Sequence, residues 1–222
     1  MSLIDKVIGA ITPPETDEVR AEATERARAA SNSGDWLDLA LDHHEQIRSA
    51  FERARAASTS EDRVAALRAL ATVLNGHAQA EEVVLYPALA KAGEKVHAGL
   101  AYTEQSTAKM QMAELERIEP ADEAWLDKLE HIRGAVLHHM FEEEGTWFLE
   151  LKAKAPEQDF LTRRFSEEYD RYVLGVATPP AETRSFASSV DDDLEVVGRN
   201  DAGPLQTGGG EAEEQAGLAP KP

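Results

Sequence analysis

A chain of 222 residues, 42% hydrophobic and 29% charged, is long enough to bury one good core and has the balance of an ordinary water-exposed protein. Its formal charge of -19 argues against nucleic acid and anionic membrane as partners, since both would repel such a surface. With no cysteine, disulfides, iron–sulfur clusters and thiolate zinc sites are excluded, so any metal must be held by histidine and carboxylate.

Residues 1–34 are expected to form an amphipathic and exposed helical segment. Leu3, Ile4, Val7, Ile8 and Ile11 share a helical face, but Asp5 and Lys6 interrupt it and Pro13-Pro14 stop it, which suits neither a signal peptide nor a span. No other apolar run approaches the ~20 residues of a membrane helix, so a cytoplasmic location is expected. Residues 15–30 are rich in Ala, Glu and Arg and predict an exposed helix whose main apolar contact is Val19. The run Ser31-Asn32-Ser33-Gly34 ends it, and Asp35 is placed to cap the next helix.

From Trp36 the apolar residues follow steps of three and four, the spacing of a bundle seam. Residues 35–155 are expected to fold as a four-helix bundle. The first seam reads Leu37, Ala40, His44, Ile47, Phe51 and Ala54; the second reads Leu67, Leu70, Leu74, His77, Glu81, Val84 and Ala88, with Pro87 expected to kink or end the helix. Gly93 marks the connection to a third helix with seam residues Ala101, Gln105, Ala108, Met112 and Leu115. Pro120 stops it, and a fourth helix carries Trp125, Leu129, Ile132, Val136, His139, Glu143 and Thr146. Long helices with short connections predict an all-α, antiparallel up-down-up-down bundle. Residues 156–177 predict a further C-terminal helix with Leu161, Phe165, Tyr169 and Tyr172 on one side, suited to capping the bundle or contacting a second copy. Residues 178–222 are rich in Gly, Pro, Ser and acid and are expected to be a disordered acidic tail.

One stretch occurs twice. His77, Glu81, Glu82 and Tyr86 fall on His139, Glu143, Glu144 and Phe148 after a shift of 62 residues, which marks a duplicated helix pair. In each copy a histidine and a glutamate four residues apart lie one turn apart on the same helical face. Three seam histidines and two seam glutamates thus sit on three helices, while the seams hold neither Arg nor Lys. Burying such carboxylates uncompensated would cost several kcal/mol per ion, so a cation between the helices is the economical partner. Imidazole nitrogen with carboxylate oxygen suits iron, manganese or zinc, two bridging carboxylates suit a dinuclear site, and iron is the first choice. Ferritin-like proteins carry the reverse order, Glu-x-x-His, and the His-Glu-x-x-His of zinc hydrolases is not found.

Asp42 with His44 and Ile47, His77 with Glu81, and His139 with Glu143 give the chain a resemblance to the hemerythrin-like family, or HHE cation-binding domain, over about residues 36–152. The resemblance implies an antiparallel four-helix bundle holding two non-haem iron ions bridged by carboxylate or oxide. It implies that dioxygen, hydrogen peroxide or nitric oxide is the small-molecule partner. The family's third helix supplies histidine within a Glu-His pair; here the matching positions are Glu104 and Gln105. Glu104 is the expected substitute ligand, because an amide oxygen binds iron weakly. The expected metal ligands are therefore His44, His77, Glu81, Glu104, His139 and Glu143. Around them His43, Tyr86, His97, Tyr102, Gln105 and His138 are expected as supporting residues, with His97 about 10 Å along the axis from Glu104.

Exchanging an imidazole for a carboxylate adds negative charge and favours ferric iron, hence reaction with peroxide or dioxygen in a catalase-like or iron-oxidising turnover. The other functional class is an oxygen, nitric oxide or iron sensor without turnover. A monomer or homodimer, without nucleic acid or membrane as partner, is expected.

Overall fold

A computed structural model describes residues 15–175; the amphipathic residues 1–14 and the acidic tail discussed above lie outside the described residues. The first helix, α1 (Asp17–Ala30), opens on Thr16, whose hydroxyl accepts from the Val19 N–H at 3.4 Å. It is less exposed than its composition suggests. Val19 stays 43% exposed, whereas Ala23 and Ala27 are completely buried. Alanine lets α1 approach closely: a Cβ on Gly145 would lie only 3.8 Å from the Ala23 Cβ.

Helix α2 (Trp36–Ala56) begins at the predicted Asp35 cap, whose carboxylate accepts from the Asp38 N–H at 2.9 Å, and every predicted seam residue is buried. Helix α3 (Ser60–Ala80) is capped by Thr59 and passes into a π turn, Glu81–Leu85, before continuing as α4 (Tyr86–Lys91). Gly93, at φ 108°, makes the turn into α5 (Lys95–Leu115). Helix α6 (Glu123–Glu142) likewise passes into a π turn, Glu143–Trp147, and then α7 (Phe148–Lys154). Helix α8 (Gln158–Val173) follows. Among the described residues the fold is all-helical, and no described helix is long and apolar enough to cross a membrane.

The two π turns start on the duplicated glutamates. Pro87 sits in the first turn of α4, where its missing N–H is tolerated. Proline is not their cause, because the second copy has Leu149 in its place and the same turn. In an α-helix, a residue five positions on is about 140° round the axis; an i→i+5 turn brings it back toward the starting face. The turns therefore rotate Tyr86 and Phe148 inward, where both are buried, and rotate Thr146 out of its predicted seam to an exposed position.

Two apolar clusters form the core. One gathers Trp36, Leu41, Tyr86, Trp147, Phe148 and Phe165, and the other gathers Ile47, Phe51, Leu70, Trp125, Ile132 and Met140. Between them each long helix contributes a polar residue: His44 follows Leu41 and precedes Ile47, and His77 stands between Leu74 and Ala80. A polar layer is thereby enclosed at both ends by apolar side chains.

Helix α8 packs along α2 and α3. Its Tyr169 ring stacks on His43 with centroids 3.6 Å apart, which buries a histidine that seam spacing alone places outside the core. Gly76 permits this approach, since a Cβ there would come within 2.7 Å of Val173 Cγ2. At the other end of α8, Gln158 accepts from the Trp36 indole N–H at 2.7 Å.

Candidate metal centre

His44, His77, Glu81 and Glu143 converge in the polar layer, each offering one ligand atom within 4.8 Å of the others, and all four are buried. His44 Nε2 lies 3.0 Å from His77 Nε2 and 3.3 Å from Glu143 Oε2, and His77 Nε2 lies 3.0 Å from Glu81 Oε1. Glu81 Oε1 and Glu143 Oε2 have no hydrogen-bond partner. Buried acceptors are ordinarily paired, at a penalty of about 1–3 kcal/mol and more for a charged group when they are not. Two such oxygens facing two imidazole nitrogens fit a cation.

The second oxygens of the same glutamates face another group. The Tyr86 hydroxyl donates to Glu143 Oε1 at 2.8 Å and lies 3.2 Å from Glu81 Oε2 and 3.0 Å from His139 Nε2. The Gln105 amide donates to Tyr86 Oη and to Glu81 Oε2. His139 Nε2 is 3.4 Å from Glu143 Oε1. Each glutamate therefore spans two positions, one lined by His44 and His77 and the other by His139, Tyr86 and Gln105.

The outer nitrogens are held by carboxylates. His44 Nδ1 is 2.7 Å from Glu144 Oε1, which also accepts from Arg48 at 2.6 Å, and Thr24 of α1 donates to the other Glu144 oxygen. His139 Nδ1 is 2.8 Å from Glu104 Oε2. Glu104 thus stands behind His139, on the side opposite the converging atoms. Carboxylates in this position orient an imidazole and raise its basicity.

Burial and mutual charge set the protonation pattern of the metal-free site. Burial, then the neighbouring charge on Glu143, pushes the Glu81 carboxyl well above the usual carboxylate range. Burial acts the same way on Glu143, but the His139 and His44 imidazoles outweigh it and hold it well below that range. Burial lowers His44, and Glu143 and Glu144 more than compensate, raising it to about 9. His139 is raised for the same reason: burial opposes charge, and Glu143 and Glu104 prevail. His77 is lowered by burial and by His44. Burial, Glu143 and Glu81 together raise Tyr86. Protons on His44 and His139 occupy the electrostatic role that a cation would take over.

The remaining sequence candidates lie around this core. His43, with its Nδ1 unpartnered, is edge-on to His77 at 5.6 Å. Tyr102 packs edge-on to Tyr86 at 5.1 Å and donates to the Glu82 carbonyl at 2.5 Å. His97 stacks on Trp147, which in turn meets the edge of His139. Its Nδ1 lies 3.1 Å from Glu150 and 3.4 Å from Glu94, a pair of carboxylates also engaged by Lys154. His138 is at the surface against Glu15 at 2.9 Å. Glu144, one position beyond the seam glutamate, is 1% exposed and orients His44. Its equivalent in the first copy, Glu82, pairs with Lys109 at 2.6 Å instead, so the duplication alone does not identify which of the two turns inward.

The family model of the hemerythrin HHE cation binding domain matches residues 37–151, the span that carries every one of the converging residues. The chain belongs to the hemerythrin HHE family. No curated protein and no solved structure matches it. Membership of this cation-binding family and the buried histidine–glutamate cluster agree on metal binding as the function of the polar layer.

Proposed function

We propose that Glu81 and Glu143, with His44, His77 and His139, would hold two non-haem iron ions in this HHE domain, and that the centre reacts with hydrogen peroxide or dioxygen in a catalase-like or iron-oxidising turnover. The observation that carries the reading is the pair of buried, unpartnered oxygens, Glu81 Oε1 and Glu143 Oε2, opposite the Nε2 atoms of His44 and His77. An all nitrogen-and-oxygen donor set suits iron, and carboxylates with both oxygens directed into the layer suit a pair of ions. In this reading α2, α3, α5 and α6 run up-down-up-down around the centre.

Bound iron would supply the electrons exchanged with the oxidant. The protein's part is orientation, proton placement and exclusion of water. Glu144 and Glu104 fix the inward direction of His44 and His139 Nε2, and carboxylate-backed imidazoles together with oxygen donors favour the ferric state. Before metal enters, Tyr86 holds a proton at Oη directed at Glu143. Helix α1 covers Glu144 through Thr24, α8 covers His77 through Phe165, and His43 of α2 lies beside His77, so water has little access.

The test is metal analysis and the visible spectrum of purified protein before and after peroxide, with peroxide consumption followed under excess. Two irons per chain and sustained consumption are expected. A protein that binds zinc or no metal refutes the centre, and an iron-loaded protein that leaves peroxide and dioxygen unconsumed refutes the turnover in favour of sensing.

A further inference from the structure

The two halves of the polar layer are related by the duplication but do not carry the same residues. His77 and Glu81 correspond to His139 and Glu143, and Gln105 stands on α5 where His44 stands on α2. Tyr86 corresponds to Phe148, each five residues beyond a glutamate and turned inward by a π turn. One half thus pairs an imidazole with a phenyl ring: Phe148 stacks on His44 with centroids 5.8 Å apart. The other pairs an amide with a phenol. The donor lost from the long helix reappears just beyond the π turn.

Resting on the two-iron reading above, we propose that Tyr86 is the ligand that completes the second position, binding ferric iron through its phenolate oxygen beside His139, Glu81 and Glu143. Tyr86 Oη lies within 3.2 Å of a terminal atom of each of these three residues. The ring is 1% exposed, so the hydroxyl faces these atoms and not solvent. Ligation exchanges the phenol proton for the cation, and the proton leaves to solvent. A bound cation is the largest local charge in such a site and stabilises the anionic form of an oxygen that faces it. Gln105 then has a definite task. Its amide N–H, 2.5 Å from Tyr86 Oη, donates to an oxygen that becomes anionic, and such charge-assisted bonds are the stronger kind. The amide therefore supports the oxygen that replaces the missing imidazole. The centre is consequently asymmetric, with two imidazoles at one iron and one imidazole plus one phenolate at the other.

The experiment loads wild type, Tyr86→Phe and Tyr102→Phe with iron(II) under nitrogen, oxidises each with ferricyanide, and records iron per chain, visible absorption and resonance Raman spectra. Tyr102 is the control, since its hydroxyl is taken by the Glu82 carbonyl. Wild type and Tyr102→Phe are expected to hold two irons and to show a phenolate-to-iron charge-transfer band with enhanced tyrosine ring modes. Tyr86→Phe is expected to lose that band and to fall toward one iron. Two irons in wild type without the tyrosine signature, or a signature that survives Tyr86→Phe, would overturn the assignment while leaving the two-iron reading standing. Absence of iron from wild type would instead overturn that reading.

Discussion

Replacing Glu81 by Gln should make the metal-free protein more stable while destroying its metal site. Glu81 is fully buried, one of its oxygens is unpartnered, and burial together with Glu143 raises its pKa well above the ordinary range. Above the ordinary glutamate value of about 4.3 the unfolded chain carries an ionised Glu81, whereas the folded chain holds the proton to higher pH. Folding takes up a proton, so stability falls as pH rises, by about 1.4 kcal/mol per pH unit for as long as the folded group stays protonated. At roughly 2–4 °C per kcal/mol for a domain of this size, each such pH unit lowers Tm by about 3–6 °C. Glutamine has the shape of the protonated acid and no titration. Thermal melts of metal-free wild type and Glu81→Gln should nearly coincide at pH 5 and diverge toward pH 7, with the variant higher, while the variant loses iron uptake. Parallel pH profiles, or a variant less stable at pH 7, would refute the claim that this carboxylate is kept for the cation at the expense of the fold.

Metal uptake should be pH-dependent, because ions must displace protons from His44 and His139, both raised above the ordinary histidine value. Zinc(II), used as a redox-silent probe in a competition titration, should bind more tightly at pH 8 than at pH 6. Glu144→Gln, which removes the charge behind His44, should weaken metal binding about 10–100-fold, measurable in the same titration. His43 is lowered to about 2, chiefly by burial. The unfolded chain therefore binds an extra proton below about pH 6.5, and acid removes stability. In urea unfolding of the metal-free protein, His43→Phe should flatten the decline between pH 6.5 and 4.5 by about 1.4 kcal/mol per pH unit. Gly76→Val should drive α8 away from α3 and cost about 1–3 kcal/mol, and Val173→Ala on the same chain should restore part of it.

By itself the sequence determined the seams. His44, His77, Glu81, His139 and Glu143 recur at helical spacing among apolar residues, and burial of that stripe follows from the free energy of removing it from water. The cap at Asp35 was also legible, because its side chain satisfies a backbone group three residues on. Long-range packing decided the rest. Val19 looked like the contact of α1, but Ala23 and Ala27 are its buried face, because Ala23 packs at Gly145 and Ala27 joins the apolar cluster around Trp36. His43 lies off the seam and is buried only because α8 returns to stack on it. The π turns were invisible to a count in threes and fours. One extra residue in a turn rotates everything beyond it, which exposes Thr146 and brings Tyr86 into the layer. The family resemblance directed attention to Glu104 as the substitute donor on α5. The tertiary structure sets Glu104 behind His139 and turns the Tyr86 hydroxyl toward the glutamates, because the direction of a side chain depends on local helical phase as well as on position in the sequence.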